Sequence, residues 1–318
     1  MNDIFRKSTN FLTSCKNNGT CSTIKTYYRN LFLNRKKLRE EMKSLESKVE
    51  MIINNQGKLA EEINMNLPNY NNSHIIREDA KEKPLFLIGS GPSLVDCDIS
   101  SLKNCYTISF NRSYIAFKDW GFYPTYFAGL DHVVNNDNKD EYKKLIRESS
   151  IKRFFFTMDE MSKEHLISPK TSLVEIAKTA EICPNIDFNR KLQVANSGLF
   201  GLQLALGILG FKEIYLLGCD ANYTDDVKGI DVVDGVYVSQ KNKDVNHFRL
   251  DYYGKGTTYN RPNNPRYHLP AWKYFYDKYI KNNNFGYNVF NCSKTGKLDF
   301  FPFKDFEDIK KEIGEYEY

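Results

Sequence analysis

The stretch Lys83-Pro84-Leu85-Phe86-Leu87-Ile88-Gly89-Ser90-Gly91-Pro92-Ser93-Leu94 decides how this chain folds. Four consecutive apolar residues make a run of strand length that ends abruptly in small residues, the pattern of a strand buried on both faces and delivered into a tight turn. Gly89 and Gly91 let the backbone turn sharply and let a ligand come close, while Pro92 removes one N–H and stiffens the exit. Ser90 and Ser93 supply short hydroxyls. A turn of this kind suits a nucleotide or phosphate resting on backbone N–H groups at the carboxyl end of a first strand. The motif lacks the third glycine of a dinucleotide fingerprint and the Gly-Lys-Ser/Thr ending of a phosphate-cradling loop, so by itself it also fits an ordinary strand-to-helix turn.

Downstream, the same alternation recurs. Runs at 106–110, 125–128, 153–157, 213–217 and 287–291 read as further strands, and Leu199, Leu202, Leu206 and Leu209 form the buried stripe of a helix over 198–209. Strands alternating with helices predict an α/β fold with a doubly wound, largely parallel sheet, whose functional residues gather at the strand carboxyl ends. Those ends are Gly89-Ser90-Gly91, Asn111-Arg112-Ser113, Gly129-Leu130-Asp131-His132, Gly218-Cys219-Asp220 and Asn291-Cys292-Ser293. Any one of them fits a cap or an Asx-turn; small and polar side chains at all five predict a pocket.

The amino-terminal part differs in kind. Leu38, Met42, Leu45, Val49 and Ile52 are spaced alternately four and three, with Leu59 and Ile63 continuing the seam, so residues 1–67 are expected to be a helical segment that self-associates as a coiled coil. The competing reading is a single amphipathic helix. Ile24, Tyr27, Tyr28, Leu31 and Phe32 among Lys25 and Arg29 form a short face that also fits peripheral membrane contact. Residues 68–83 read as a linker, and 84–318 as the catalytic domain. The net charge of +5 is modest for 318 residues, and its excess sits near the amino terminus, as expected of a solvated helix face rather than a nucleic-acid surface. No run approaches the roughly eighteen apolar residues of a spanning helix and the start lacks an apolar secretion signal, so a cytoplasmic location is expected. Seven cysteines without a Cys-x-x-Cys pair and five histidines predict reduced thiols and no structural zinc.

Three phrases carry a resemblance: Gly89-Ser-Gly-Pro-Ser-Leu94, Val194-Ala-Asn-Ser-Gly-Leu-Phe-Gly201 and Leu209-Gly-Phe-Lys-Glu-Ile-Tyr-Leu-Leu-Gly-Cys-Asp220, together with Asn111. They are similar to the bacterial CMP-sialic acid-dependent sialyltransferases, and to a wider group with the motility-associated (Maf) flagellin glycosyltransferases and archaeal 6-hydroxymethylpterin pyrophosphokinases. The likeness covers about residues 84–303. It implies a Rossmann-like, GT-A-like domain with a lid insertion over about 221–262, and Tyr223 to Tyr259, polar and poor in regular pattern, fits such a lid. It further implies a nucleotide or donor site from Gly89, Ser90, Gly91, Pro92, Ser93, Asn111, Asp131, Asn196, Ser197, Gly198, Asp220 and Arg249. Asn196 and Ser197 also fit plain helix capping.

The resemblance implies an inverting glycosyltransferase that moves a sialic acid-like acidic sugar from a CMP donor to a glycan or protein acceptor, with no obligatory metal or other cofactor. The candidate catalytic residues lie in the lid. His247 suits a general base because imidazole titrates near neutrality, and Asp251 lies nearer the family's base position, so both are candidates. Tyr252 and Tyr253 are candidates to bind the departing phosphate. His132 is an alternative base, and His268, beside Pro270, reads as structural. Where those sialyltransferases carry an arginine, this chain has Val194. Asp96-Cys97-Asp98 has the spelling of a metal-binding Asp-x-Asp but follows the first turn, where it is expected to face away. Two other functions fit the sequence: a Mg-ATP-dependent pyrophosphokinase using Asp131 and Asp220, and a non-catalytic coiled-coil assembly subunit.

Overall fold

In a computed structural model, described residues are 30, 33, 34, 37, 40–48, 83–174, 176–177, 192–193, 196–223, 229–260 and 268–313. The chain divides into two compact units, Met1–Asn66 and Leu67–Tyr318. In the first, residues 40–48 are helical and every one is exposed, Met42 and Leu45 included. Leu38, Val49, Ile52, Leu59 and Ile63 of the expected seam, the aromatic face at 24–32 apart from Asn30, and the linker at 68–82 lie outside the described residues.

The second unit is built on seven parallel strands. In chain order these are β1 (Leu85–Ile88), β2 (Tyr106–Phe110), β3 (Tyr126–Gly129), β4 (Arg153–Thr157), β5 (Thr171–Val174), β8 (Glu213–Leu217) and β12 (Asn288–Asn291), arranged β12-β8-β1-β2-β3-β4-β5. A two-stranded pair, β6 (Ile176–Ala177) and β7 (Leu192–Gln193), lies apart. The chain winds outward from β1 through β5 and then returns to lay β8 on the other side of β1. The connections leaving β1 and β8 therefore diverge, which opens a crevice at their carboxyl ends.

Alternating side chains of each strand feed two layers. Leu85, Leu87, Ile108, Phe110, Ile214 and Leu216 pack with helix α5 (Ser197–Gln203), its π-helical continuation Leu204–Ile208, and α6 (Leu269–Phe275). Phe86, Ile88, Phe127, Phe154, Phe156, Tyr215 and Leu217 pack on the opposite face with α1 (Phe117–Trp120), α3 (Lys139–Glu148) and α7 (Phe306–Ile313). Residues Leu85–Ile88 are at most 1% exposed, which explains their unbroken apolar run. Gly201 sits where α5 crosses the sheet: a Cβ there would lie 2.1 Å from the Phe110 ring.

Three readings are corrected. Strand β3 begins one residue later and ends one residue later than expected, and β12 begins one residue later. The insertion, expected to be poor in regular structure, contains an antiparallel sheet of β9 (Ile230–Val233), β10 (Val236–Ser239) and β11 (Thr258–Tyr259). Its hairpin turns at Asp234-Gly235, both with positive φ, the two-residue turn that matches strand twist. Asp-Gly between two valine pairs carried this signal in the sequence. Strand β5 was also not anticipated, because Thr171-Ser172 breaks the apolar run. Asp98 lies on the surface beside Lys310, at 3.2 Å, as expected of a carboxylate facing away from the pocket.

Candidate functional site

A cavity of about 440 Å³ lies at the crevice between the β1 and β8 turns, a size that suits a nucleotide. Gly89, Ser90 and Gly91 line it from β1, Asn111 from β2, Asp131 and His132 from β3, and Gly218, Cys219 and Asp220 from β8. Asn196, Ser197 and Gly198 enter from the start of α5, and His247, Tyr252, Tyr253 and Tyr259 from the insertion. Four of the five strand ends read from the sequence thus converge; the fifth, through Ser293, reaches the site indirectly.

That indirect route runs through Asp220, which is 3% exposed. Its carboxylate accepts the backbone N–H of Ser93 at 2.8 Å, the Ser93 hydroxyl, and the Ser293 hydroxyl at 2.6 Å. Asp220 therefore ties together the turns after β1, β8 and β12. Its backbone carbonyl accepts the Lys297 N–H at 2.7 Å. The glycines are needed for the same closeness: a Cβ on Gly89 would lie 2.4 Å from the Gly218 carbonyl oxygen, and one on Gly91 2.5 Å from an Asp220 carboxylate oxygen. Pro92 and Ser93 begin a 3₁₀ turn, Pro92–Asp96, behind this clasp.

Three residues at the cavity have left-handed backbone: Asn111 (φ 50°), Gly218 (φ 60°) and Ala221 (φ 49°). For the two without glycine's freedom such geometry costs about 1 kcal/mol or more, and strain of this kind concentrates at working sites. The Asn111 side chain donates to Ser197 Oγ at 2.8 Å, while its Oδ1 is buried without a protein partner. Asn196 caps α5 by accepting the Leu199 N–H at 2.8 Å, and its Nδ2 is likewise buried and unpartnered. Capping and the site thus coincide at one helix start. Asp131 caps α2 (His132–Asp137) through Val133 N–H at 2.9 Å and accepts Asn260 Nδ2 at 2.7 Å.

The insertion presents an aromatic wall. His247, 6% exposed, stacks on Tyr252 at 4.2 Å between ring centroids, and Tyr253 stacks on Tyr259 at 4.3 Å. His247 Nδ1 lies 2.7 Å from Asp244 and Nε2 lies 2.8 Å from the Tyr223 hydroxyl. Tyr223 and Tyr252 both hydrogen-bond the side chain of Ser90, and the Tyr252 hydroxyl accepts the Arg112 N–H at 3.2 Å. The Phe248 N–H also bonds the Ser90 carbonyl at 2.9 Å, fastening the insertion to the first glycine turn. Burial pushes the Tyr223, Tyr252 and Tyr253 phenols well above their ordinary range, so all three act as neutral hydroxyls. Burial also lowers His268 to about 4, keeping it neutral.

Asp251 and Arg249 stand outside this wall. Arg249 Nε bonds Asp251 at 2.9 Å, the guanidinium also meets Asp119, and neither residue lines the cavity. The Arg249 bond, outweighing the small effect of burial, holds the Asp251 carboxyl below its usual range. Tyr223 and Asp244 were missed as site residues; the Asp-x-x-His spacing of Asp244 and His247 was the available signal. Cys97 and Cys292 are free thiols that burial pushes up to about 11 and about 12, so neither is a ready nucleophile. Among the described residues no three His, Cys, Asp or Glu side chains converge, and no helix is long and apolar enough to cross a membrane.

A parallel doubly wound sheet with a pocket at its switch point is the arrangement in which α/β proteins hold ligands at the strand carboxyl ends. The model of the 6-hydroxymethylpterin diphosphokinase MptE-like family matches residues 44–226, more than half of the chain, and the chain belongs to that family. Among solved structures it is similar to the sialyltransferase CstII from Campylobacter jejuni in complex with a substrate analogue, cytidine-5'-monophosphate. That similarity has 17% identity over 70% of this chain and 85% of that one, with a TM-score of 0.41. A second is the Maf glycosyltransferase from Magnetospirillum magneticum AMB-1, with 19% identity over 73% of this chain and 36% of that one and a TM-score of 0.42. No curated protein matches significantly.

Proposed function

We propose that the chain is a glycosyltransferase that moves a sialic acid-like acidic sugar from a CMP-activated donor to a glycan or protein acceptor, with inversion, in surface-glycan synthesis on the cytoplasmic side. One observation carries this reading: the described cavity lining contains no lysine or arginine, its polar groups include the neutral Ser90, Asn111, Asn196, Ser197, Tyr223 and Tyr252, and its two carboxylates, Asp131 and Asp220, already accept hydrogen bonds from within the protein. Such a lining suits the single negative charge of a CMP-sugar phosphodiester better than the clustered charge of a triphosphate.

In the reaction, the acceptor hydroxyl oxygen attacks the anomeric carbon and the bond from that carbon to the phosphate oxygen breaks. The bonding electrons leave on the phosphate of CMP. Tyr252, held by Arg112 N–H and Ser90, faces that developing charge as a neutral donor, and Asn111 and Asn196 have unpaired amide atoms for the donor. The acceptor's proton passes to His247. Because Tyr223 occupies His247 Nε2, the proton travels through the Tyr223 hydroxyl, or the acceptor displaces it. Asp251, bound to Arg249 on the outer side, has no such path.

The description of the family favours a second reading, Mg-ATP-dependent diphosphoryl transfer. Asp131 and Asp220 are its natural metal ligands, but each already accepts bonds from within the protein, so metal binding would have to break the clasp or the cap. Thermal shift with CMP, CDP, UDP and ATP, each with magnesium and with EDTA, separates the two. A ligand at one hundred times its Kd stabilises by about 2.7 kcal/mol. Stabilisation by CMP that survives EDTA supports sugar transfer; a shift confined to ATP with magnesium overturns it.

A further inference from the structure

We infer that Asp244 is a positioning residue that fixes His247 in one tautomer and makes Asp244, His247 and Tyr223 a proton relay opening on the cavity. The inference rests on the glycosyl-transfer reading for its chemistry, but its geometry stands independently. Asp244 is 7% exposed and His247 is 6% exposed, so neither exchanges its partners freely with water. Asp244 is held by several bonds: one carboxylate oxygen accepts the Asn246 N–H at 2.9 Å, and the other accepts the Tyr253 N–H at 3.1 Å and meets His247 Nδ1 at 2.7 Å. Burial pushes its carboxyl up, but the His247 bond and these amides prevail and hold it below its ordinary range.

An ionised carboxylate only accepts hydrogen bonds, so Nδ1 carries the imidazole proton. In the neutral ring Nε2 is then an acceptor, and the hydroxyl 2.8 Å away, Tyr223, is its donor. The Tyr223 oxygen in turn hydrogen-bonds Ser90 at the end of β1. Tyr252 stacks flat on the imidazole and Tyr253 meets its edge, which leaves the ring one orientation. A proton released at the cavity moves onto Tyr223 as the tyrosine's own proton moves to Nε2. The imidazolium formed lies against the Asp244 carboxylate, which balances its charge without taking the proton.

The test uses the full chain with selectively 15N-labelled histidine, which gives only five side chains to resolve. At neutral pH the His247 signals should show protonated Nδ1 and unprotonated Nε2, with a downfield Nδ1 proton. Asp244→Asn should lose that proton signal and lower kcat about 100-fold or more with KM for the donor nearly unchanged. The CMP-induced thermal shift reports that the variant is folded. A protonated Nε2 with bare Nδ1 in the wild-type chain overturns the relay, whatever the variant does. Unchanged kcat in a folded Asp244→Asn also overturns it. Failure of every CMP donor to turn over, with the tautomer as stated, overturns the sugar-transfer reading and leaves the relay standing.

Discussion

Asp220, at the end of β8, accepts both the amide and the hydroxyl of Ser93, one turn beyond β1, and so fixes the crevice between two strands whose connections leave in opposite directions. Sheet hydrogen bonds hold β1 to β8 up to Leu217, but beyond it the turns have only a few bonds between them. A buried carboxylate accepting three donors supplies the rest.

Replacing Asp220 with Ala strands the Ser93 N–H and the Ser93 and Ser293 hydroxyls in a buried site. Unmade bonds to a charged acceptor cost roughly 1.5–3 kcal/mol each and do not add fully, so a loss of about 3–5 kcal/mol is expected. Urea denaturation measures it. A change under 1 kcal/mol would show that the clasp is not structural.

Gly89→Ala is expected to destabilise by about 3 kcal/mol and to abolish the CMP-induced thermal shift. Its methyl would sit 2.4 Å from a backbone carbonyl oxygen, and neither β1 nor β8 can retreat without breaking the bond from Gly89 N–H to the Leu217 carbonyl, 2.7 Å. Wild-type stability and binding in this variant would mean that the turns are looser than described.

Asn111→Gly separates strain from function. Glycine relieves the left-handed backbone but loses the amide, so stability should stay within about 1 kcal/mol of wild type while CMP affinity falls about tenfold. Calorimetry of CMP binding beside chemical denaturation tests both halves. Unchanged affinity would remove Asn111 from the site.

Stability should depend on pH through His268. Burial lowers its folded-state value to about 4 from 6.5, so the unfolded chain takes up the proton more readily. The stability is complete above about pH 6.5 and falls as the pH drops toward about 4, by at most about 3 kcal/mol. Comparing denaturation midpoints at pH 7.5 and 5 for wild type and His268→Gln checks this, since the neutral substitute should flatten the slope.

Asp251→Asn decides between the two candidate bases. Its ion pair with Arg249 is exposed and worth less than about 1 kcal/mol, and no path leads from it to the cavity. Turnover should be within about twofold of wild type, whereas His247→Ala should lose about 100-fold or more. The reverse ranking in a turnover assay would move the reaction to the outer face.

The strands and the edge of the sheet that works were legible without coordinates, because a central parallel strand is buried on both faces and leaves an unbroken apolar run. Leu85–Ile88, Tyr106–Phe110, Arg153–Thr157 and Glu213–Leu217 match the structure to the residue. The small residues after them name the strand ends that meet at the cavity. The hairpin of the insertion carried a signal too, Asp234-Gly235 flanked by Val232-Val233 and Val236-Tyr237-Val238, although the longer stretch that holds it is mostly polar.

What each side chain does at that edge was decided by tertiary structure. Asp220 and Asp131 look alike as carboxylates after strands, but one clasps three turns and the other caps a helix and meets Asn260. Arg249 and Asp251 stand in the same ten residues as His247 and face away from it. Tyr223 reaches His247 across 24 residues of sequence. Period and composition report burial and turning, which are local properties of the chain; the direction of a side chain and its distance to a partner on another element are set only when the layers pack.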